Sequence, residues 1–81
     1  MDTYTTSEFA DLVNEEISKA REAHGDQTSY HEGLAIIMEE FEELKAEVFR
    51  KNVDKDALKK ELIQTATMCR RFYEDLLEEN K

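Results

Sequence analysis

The chain has 81 residues, a formal net charge of −9 and 38% charged residues, with two Gly and no Pro. This length predicts one small domain, residues 1–81, whose own core is marginal, so self-association is expected. The negative charge disfavours direct contact with nucleic-acid phosphates or with an anionic membrane surface, since both need clustered Lys and Arg. The longest apolar run, Leu34 to Met38, is far too short to span a membrane.

The N-terminus and the single cysteine indicate the compartment. Residues Met1 to Tyr4 contain neither the basic nor the apolar region of a signal peptide. Cys69 cannot form an internal disulfide, and it falls on an apolar helical stripe, which predicts a small core residue rather than a nucleophile. We therefore expect a cytoplasmic protein.

The first predicted helix has signals at both ends. Thr5 is followed three residues later by Glu8, which is a capping-box pattern. Apolar residues then recur at helical spacing from Phe9 onward. The helix should end near His24 and Gly25, because Gly commonly follows the last helical residue.

Two longer helices should follow. Ser29 and Glu32 repeat the capping-box pattern and open the second helix. Its predicted buried stripe consists of Leu34, Ile37, Phe41, Leu44 and Val48. Residues 52–54 break the pattern, and Asp54 or Asp56 is the next N-cap. The apolar positions of the third helix, which should fray over residues 78–81, are Leu58, Leu62, Thr65, Cys69, Phe72 and Leu76.

These elements predict an all-α fold. The connections are short, so consecutive helices should pack antiparallel. Three amphipathic helices make an incomplete bundle. We therefore expect an antiparallel helical bundle of three main helices per chain, completed by homo-oligomerisation.

The second helix contains a five-residue segment, 39–43, with four glutamates. At 100° per residue, Glu40, Glu43 and Glu47 fall together on one flank of the predicted buried stripe. Glu39 and Glu42 point away from that flank.

The third helix places Glu61 beside its own apolar stripe. If the two helices pack together, Glu40, Glu43 and Glu61 can supply oxygen ligands to a divalent cation such as Mg2+. The same residues also fit solvated acidic rows that are balanced by basic residues, and the pattern leaves both interpretations open. Those basic residues are Lys45, Lys59 and Lys60.

Residues 37–44, Ile-Met-Glu-Glu-Phe-Glu-Glu-Leu, resemble the Glu-Glu-x-x-Glu helix of the MazG-like all-α nucleoside triphosphate pyrophosphohydrolases. Residues 61–64, Glu-Leu-Ile-Gln, are similar to that family's Glu-x-x-Asp motif, with Gln64 where the family has Asp. The resemblance covers about residues 30–77.

The resemblance implies a Mg2+- or Mn2+-dependent hydrolysis of a nucleoside triphosphate to monophosphate and pyrophosphate, in a homodimer or tetramer. The implied metal site consists of Glu40, Glu43, Glu61 and Gln64. Glu39 and Glu47 are candidates for assisting catalysis. Candidates for binding the phosphates of a nucleotide are Arg71, Arg50 and Lys51.

Gln64 is the departure from the family pattern. A Gln side chain offers a neutral oxygen, so Mg2+ should bind less tightly and activate water less well. Glu47, one turn after Glu43 on the same flank, could supply the missing charge. The alternative is a non-catalytic helical interaction protein that keeps the fold with a degenerate metal site.

Overall fold

The computed structural model describes residues 7–78, and within this range it contains three α-helices and no strand. Helix α1 spans Glu8–Ala23, α2 spans Tyr30–Val48 and α3 spans Lys55–Phe72. A π-helical turn, Tyr73–Leu77, continues α3. The all-α prediction is confirmed for these residues. None of the helices in this range is long and apolar enough to cross a membrane.

Helix α1 begins after Ser7, whose side chain accepts a hydrogen bond of 3.1 Å from the backbone N–H of Ala10. The predicted cap at Thr5 lies outside the described residues. The predicted end near His24 is confirmed, since His24 is the C-cap.

The predicted N-caps of the other two helices are confirmed. Ser29 accepts from the backbone N–H of Glu32 at 3.0 Å, and Asp54 caps α3. The Glu32 carboxylate accepts from the backbone N–H of Thr28 at 2.6 Å and from its hydroxyl at 3.0 Å. These hydrogen bonds lower the pKa of Glu32. Local side-chain hydrogen bonds therefore define where α2 and α3 begin.

Helix α3 is central, because both α1 and α2 pack mainly against it. Helices α2 and α3 run antiparallel: Gly33 lies against Phe72 at one end of the pair, and Glu43 lies near Glu61 at the other. The predicted antiparallel packing of consecutive helices thus holds for α2 and α3. Helix α1 instead has α3 as its main partner, with Asn14 accepting a 2.5 Å hydrogen bond from Arg70.

The buried core within residues 7–78 is small. Its apolar members are Val13, Ile17, Ala20 and Met68. The predicted buried stripe of α2 is wrong in part, because Leu34, Phe41 and Val48 are each 51% exposed. Ile37 and Leu44 are partly buried, as predicted. The reason is rotational: α2 turns the side that carries Gly33, Ile37 and Leu44 toward α3.

The prediction of a buried Cys69 is also wrong, since Cys69 is an exposed free thiol. The buried residues of α3 are Thr67, Met68 and Arg71, which share one side of the helix. Cys69 lies on a different side and does not contribute to the core.

Ion pairs hold the π-helical turn against α1 and the following loop. Arg21 contacts Glu74 at 2.9 Å and the fully buried side chain of Asp75 at 2.8 Å. These hydrogen bonds, the one to Glu74 above all, raise the pKa of Arg21. Asp75 also accepts from the backbone N–H of Gln27 at 2.9 Å. The α1–α2 loop is therefore fixed to the end of α3.

Candidate metal centre

Three carboxylates from two helices meet at one point. Glu40 and Glu43 come from α2 and Glu61 comes from α3. One oxygen from each of the three lies within 4.8 Å of the other two. Glu40 and Glu61 are partly buried, and Glu43 is exposed. The structure thus brings together three of the four predicted metal ligands.

The helix pair explains this meeting. Glu40 and Glu43 are three positions apart, so their side chains lie one above the other on α2. The side of α2 that packs on α3 includes Glu40, because Gly33 and Leu44 lie on the same side. The antiparallel course of α3 then places Glu61 opposite them.

The cluster is electrostatically strained. Burial, followed by the charges of Glu43 and Glu61, raises the pKa of Glu40. Burial and the neighbouring Glu43 carboxylate raise the pKa of Glu61. The buried Oε1 atom of Glu61 has no hydrogen-bond partner among residues 7–78. A divalent cation would relieve both the repulsion and the loss of hydration.

Gln64, the fourth predicted metal ligand, is engaged with α1. Its Nε2 atom donates a hydrogen bond of 2.9 Å to Oε2 of Glu16. The charge of Glu16 is also one cause of the raised pKa of Glu40. The first helix therefore brings a carboxylate, that of Glu16, near the cluster.

The two predicted catalytic residues lie near different members of the cluster. Glu39 is exposed and lines a cavity together with Glu40. Glu47 is partly buried, and its charge contributes to the raised pKa of Glu61. Glu47 also forms an ion pair of 3.3 Å with the exposed Arg50.

The cavity next to Glu40 has a volume of about 350 Å³ and lies between the α1–α2 loop, α2 and α3. Its lining residues are His24, Gly25, Asp26, Gln27, Glu32, Ile36, Glu39, Glu40, Met68 and Arg71. This volume falls within the range typical of small-molecule sites. Glu40 belongs to both the cavity wall and the acidic cluster, whereas Glu43 and Glu61 do not line the cavity.

Arg71, the predicted phosphate-binding residue, is a wall of this cavity and is only 2% exposed. Its guanidinium donates hydrogen bonds to the carbonyl of Gly25 and to Sδ of Met68. The charge of Arg71 also contributes to the lowered pKa of Glu32, a carboxylate that lines the same cavity. A guanidinium in the wall of a cavity can bind an anion through charge-assisted hydrogen bonds.

Sequence reasoning missed two residues of this region. Glu16 belongs to α1, and only its position next to the apolar Ile17 could have suggested that it faces the other helices. Gln27 lies in the polar turn between α1 and α2, yet only 4% of its surface is exposed. No sequence signal distinguishes it from the solvated residues around it.

Comparison with known proteins found no matching family model, curated protein or solved structure. The functional interpretation therefore depends on the geometry of the site and on the motif resemblance.

Proposed function

We propose that the chain is a Mg2+- or Mn2+-dependent nucleotide pyrophosphohydrolase of the MazG-like kind, acting in the cytoplasm on a nucleoside triphosphate. The observation that carries this proposal is the meeting of Glu40, Glu43 and Glu61 beside a cavity that contains a buried Arg71. The motif resemblance named the same three carboxylates.

The donor set fits Mg2+. Mg2+ binds oxygen at about 2.0–2.1 Å in near-octahedral geometry, so adjacent ligands are about 2.9 Å apart and opposite ligands about 4.1 Å apart. The three carboxylate oxygens lie within 4.8 Å of one another, so the side chains would move closer together around a bound ion. Hard oxygen donors favour Mg2+ or Mn2+ over softer metals.

The residues of the chain have distinct roles in the proposed reaction. A bound divalent cation polarises phosphoryl oxygens and lowers the pKa of water. Hydrolysis joins the water oxygen to the α-phosphorus as the bond to the bridging oxygen breaks, releasing pyrophosphate. Glu39 lines the cavity and is the candidate acceptor of the water proton. Glu47 raises the pKa of Glu61 through its charge, and a bound cation would offset this repulsion.

Arg71 supplies the positive charge that the acidic cluster lacks. The carboxylates alone would repel a triphosphate, but a cation on the cluster and a guanidinium in the cavity wall can bind its phosphates from two directions. Burial strengthens such a contact, because water screens it less.

We further propose that copies of the chain associate through the α2 apolar face, defined here as Leu34, Met38, Phe41 and Val48. These residues are 51–54% exposed, and their spacing of four, three and seven is that of a helix–helix seam. The α2 apolar face of a second copy has the same spacing and can pack against it. The assembly is a homodimer or a tetramer.

A second function has one observation in its favour. Gln64 is engaged with Glu16 and adds no charge to the cluster. If this pair serves only to join α3 to α1, the chain is a non-catalytic interaction protein with a weak cation site.

The test is pyrophosphate release across a panel of nucleoside triphosphates with Mg2+ or Mn2+. We expect release by the wild type and a loss of about a hundredfold or more in Glu61→Gln, since a ligand of the cation is neutralised. The control is Glu42→Gln, which removes one exposed charge from α2 and should retain activity. An absence of release from every nucleotide would favour the interaction protein, and an equal loss in both variants would remove Glu61 from the proposed site.

A further inference from the structure

The structure places a carboxylate of α1 beside the acidic cluster that α2 and α3 form. Helices α1 and α2 both pack mainly on α3, so residues of α1 can face residues of α2 across it. Glu16 of α1 is partly buried, and its Oε2 atom accepts a 2.9 Å hydrogen bond from Nε2 of Gln64. Gln64 stands one helical turn after Glu61, a member of the cluster. All three helices therefore contribute a carboxylate to this region.

The Gln64 amide fixes the position of the Glu16 carboxylate. A glutamate side chain on a helix samples several rotamers, and a hydrogen bond to a residue of another helix restricts them. None of the ion pairs within residues 7–78 involves Glu16, although Lys19 and Lys60 line a second cavity together with Glu16 and Gln64. The charge of Glu16 is also a cause of the raised pKa of Glu40. The negative charge is therefore held near the cluster.

The position of Glu16 suits indirect contact with a cation rather than direct ligation. One oxygen from each of Glu40, Glu43 and Glu61 lies within 4.8 Å of the other two, and Glu16 lies outside that group. Mg2+ gives up its hydration reluctantly, so it keeps several water molecules when it binds to protein carboxylates. A carboxylate just outside the ligand set can accept hydrogen bonds from these water molecules and so stabilise the bound cation.

We propose that Glu16 completes the cation site from α1 by accepting hydrogen bonds from water molecules that the cation binds, and that Gln64 positions it for this contact. The inference rests on the proposed function for the presence of the cation, and it assigns a role to the neutral residue at position 64. Gln64 is a positioning residue here, since it acts through Glu16 and not on the cation. Residues just outside a ligand set typically change metal affinity by about ten- to a hundredfold when they are replaced.

A double-mutant cycle at positions 16 and 64 tests this arrangement, with Mn2+ affinity measured by calorimetry. Glu16→Gln removes the charge and keeps an oxygen that can accept from Gln64. Gln64→Met removes the amide donor and keeps a side chain of similar length. The control is Glu15→Gln, which removes an equal charge from the exposed neighbour of Glu16. Thermal melting without divalent cations verifies that each variant is folded, and Gln64→Ser replaces Gln64→Met if that variant is not.

We expect Mn2+ affinity to fall about tenfold in Glu16→Gln and about threefold or more in Gln64→Met. The double variant should bind Mn2+ as Glu16→Gln does, because Gln64 has no effect once the charge that it positions is gone. Glu15→Gln should bind as the wild type does. Unchanged affinity in either single variant, an equal loss in Glu15→Gln, or additive losses in the double variant would overturn the proposal.

Pyrophosphate release from nucleoside triphosphates, measured on the same proteins, separates this inference from the proposed function. If Mn2+ affinity follows the expected cycle and no nucleotide is hydrolysed, the role of Glu16 is supported and the pyrophosphohydrolase proposal fails. If nucleotides are hydrolysed and Mn2+ affinity does not depend on Glu16, the proposed function stands and the role of Glu16 is overturned. An absence of Mn2+ binding by the wild type would overturn both.

Discussion

At the scale of single residues, the hydrogen bond from Gln64 to Glu16 connects α3 to α1 beside the acidic cluster. Gln64 stands one helical turn after Glu61, and its amide is engaged with α1 at 2.9 Å. Glu16 contributes to the raised pKa of Glu40. A carboxylate of α1 therefore lies close enough to the cluster to affect Glu40, while Gln64 itself is neutral.

The substitution of Gln64 by an acidic residue gives a sharp test of this region. In Gln64→Asp the donor to Glu16 is lost and one more negative charge lies near the cluster. We predict tighter Mn2+ binding by calorimetry and a lower melting temperature in the absence of divalent cations, because like charges repel until a cation binds. Gln64→Asn is the matched control, since it shortens the side chain without adding charge. Equal Mn2+ affinity in all three proteins would remove position 64 from the site.

The raised pKa values of Glu40 and Glu61 predict how stability depends on pH. The folded chain holds these protons more tightly than the unfolded chain, whose glutamates titrate near the ordinary value of 4.5. Their contribution to stability is therefore present below that value and is lost as pH rises through the raised pKa values. Glu32 and Glu74 have lowered pKa values and act in the opposite direction, below 4.5.

Melting temperatures measured upward from pH 4.5 with a chelator should consequently fall more for the wild type than for Glu61→Gln. With saturating Mg2+, the melting temperature of the wild type should no longer fall more with pH than that of Glu61→Gln, because the cation favours the ionised carboxylates. The groups that face the two carboxyls and share the measurement are Glu16, Glu39, Glu43, Glu47 and Lys60. If the melting temperatures of the two proteins changed equally with pH, the pKa of Glu61 would not be raised in the folded chain.

At the scale of helices, local signals in the sequence predicted where each element begins. Ser29 and Asp54 cap α2 and α3 as expected, because capping depends on hydrogen bonds to residues two or three positions away. The sequence did not predict which side of α2 faces α3. The helix has apolar residues on two sides. Periodicity alone does not show which of these sides packs against α3 and which remains available to another chain.

The candidate site divides in the same way. Glu40, Glu43 and Glu61 could be named from spacing and from the motif, since each follows from its position on one helix. Gln27 and Glu16 could not, because their roles depend on how the loop and α1 approach α3. Cys69 was misplaced for the same reason: its exposure depends on the side of α3 that α1 covers.

The contact of α2 with α3 predicts contrasting effects at the two glycines. A Cβ at Gly33 would overlap the ring of Phe72 and the Gln27 side chain, whereas a Cβ at Gly25 meets nothing within 4 Å. We predict that Gly33→Ala lowers the free energy of unfolding by about 1–3 kcal/mol, despite the higher helix propensity of Ala. Gly25→Ala should stay within about 0.5 kcal/mol of the wild type. Urea denaturation measures both, and similar values for the two variants would contradict the close packing at Gly33.

At the scale of the whole molecule, the described residues bury few apolar side chains and leave several large ones at the surface. The buried apolar core within residues 7–78 consists of Val13, Ile17, Ala20 and Met68, whereas the four residues of the α2 apolar face are 51–54% exposed. A contiguous exposed apolar face is typical of a surface that binds another protein.

We therefore predict that sedimentation equilibrium at micromolar concentration shows a dimer or a tetramer. Phe41→Glu should shift the protein toward monomer, because it places a charge on the α2 apolar face. Ala35→Glu adds the same charge at an exposed position of α2 outside that face and should leave the assembly intact. A stable, folded wild-type monomer would refute the self-association.

The most direct test of the central claim, that Glu40, Glu43 and Glu61 form one cation site, is a calorimetric titration with Mn2+. We predict one Mn2+ bound per chain by the wild type. Its affinity should fall at least about tenfold in both Glu43→Gln and Glu61→Gln, since each removes one anionic oxygen ligand of the cation. Glu42→Gln, an equal change of charge on the exposed side of α2, should bind as the wild type does. No Mn2+ binding by the wild type, or the same loss in Glu42→Gln as in Glu43→Gln, would contradict the site.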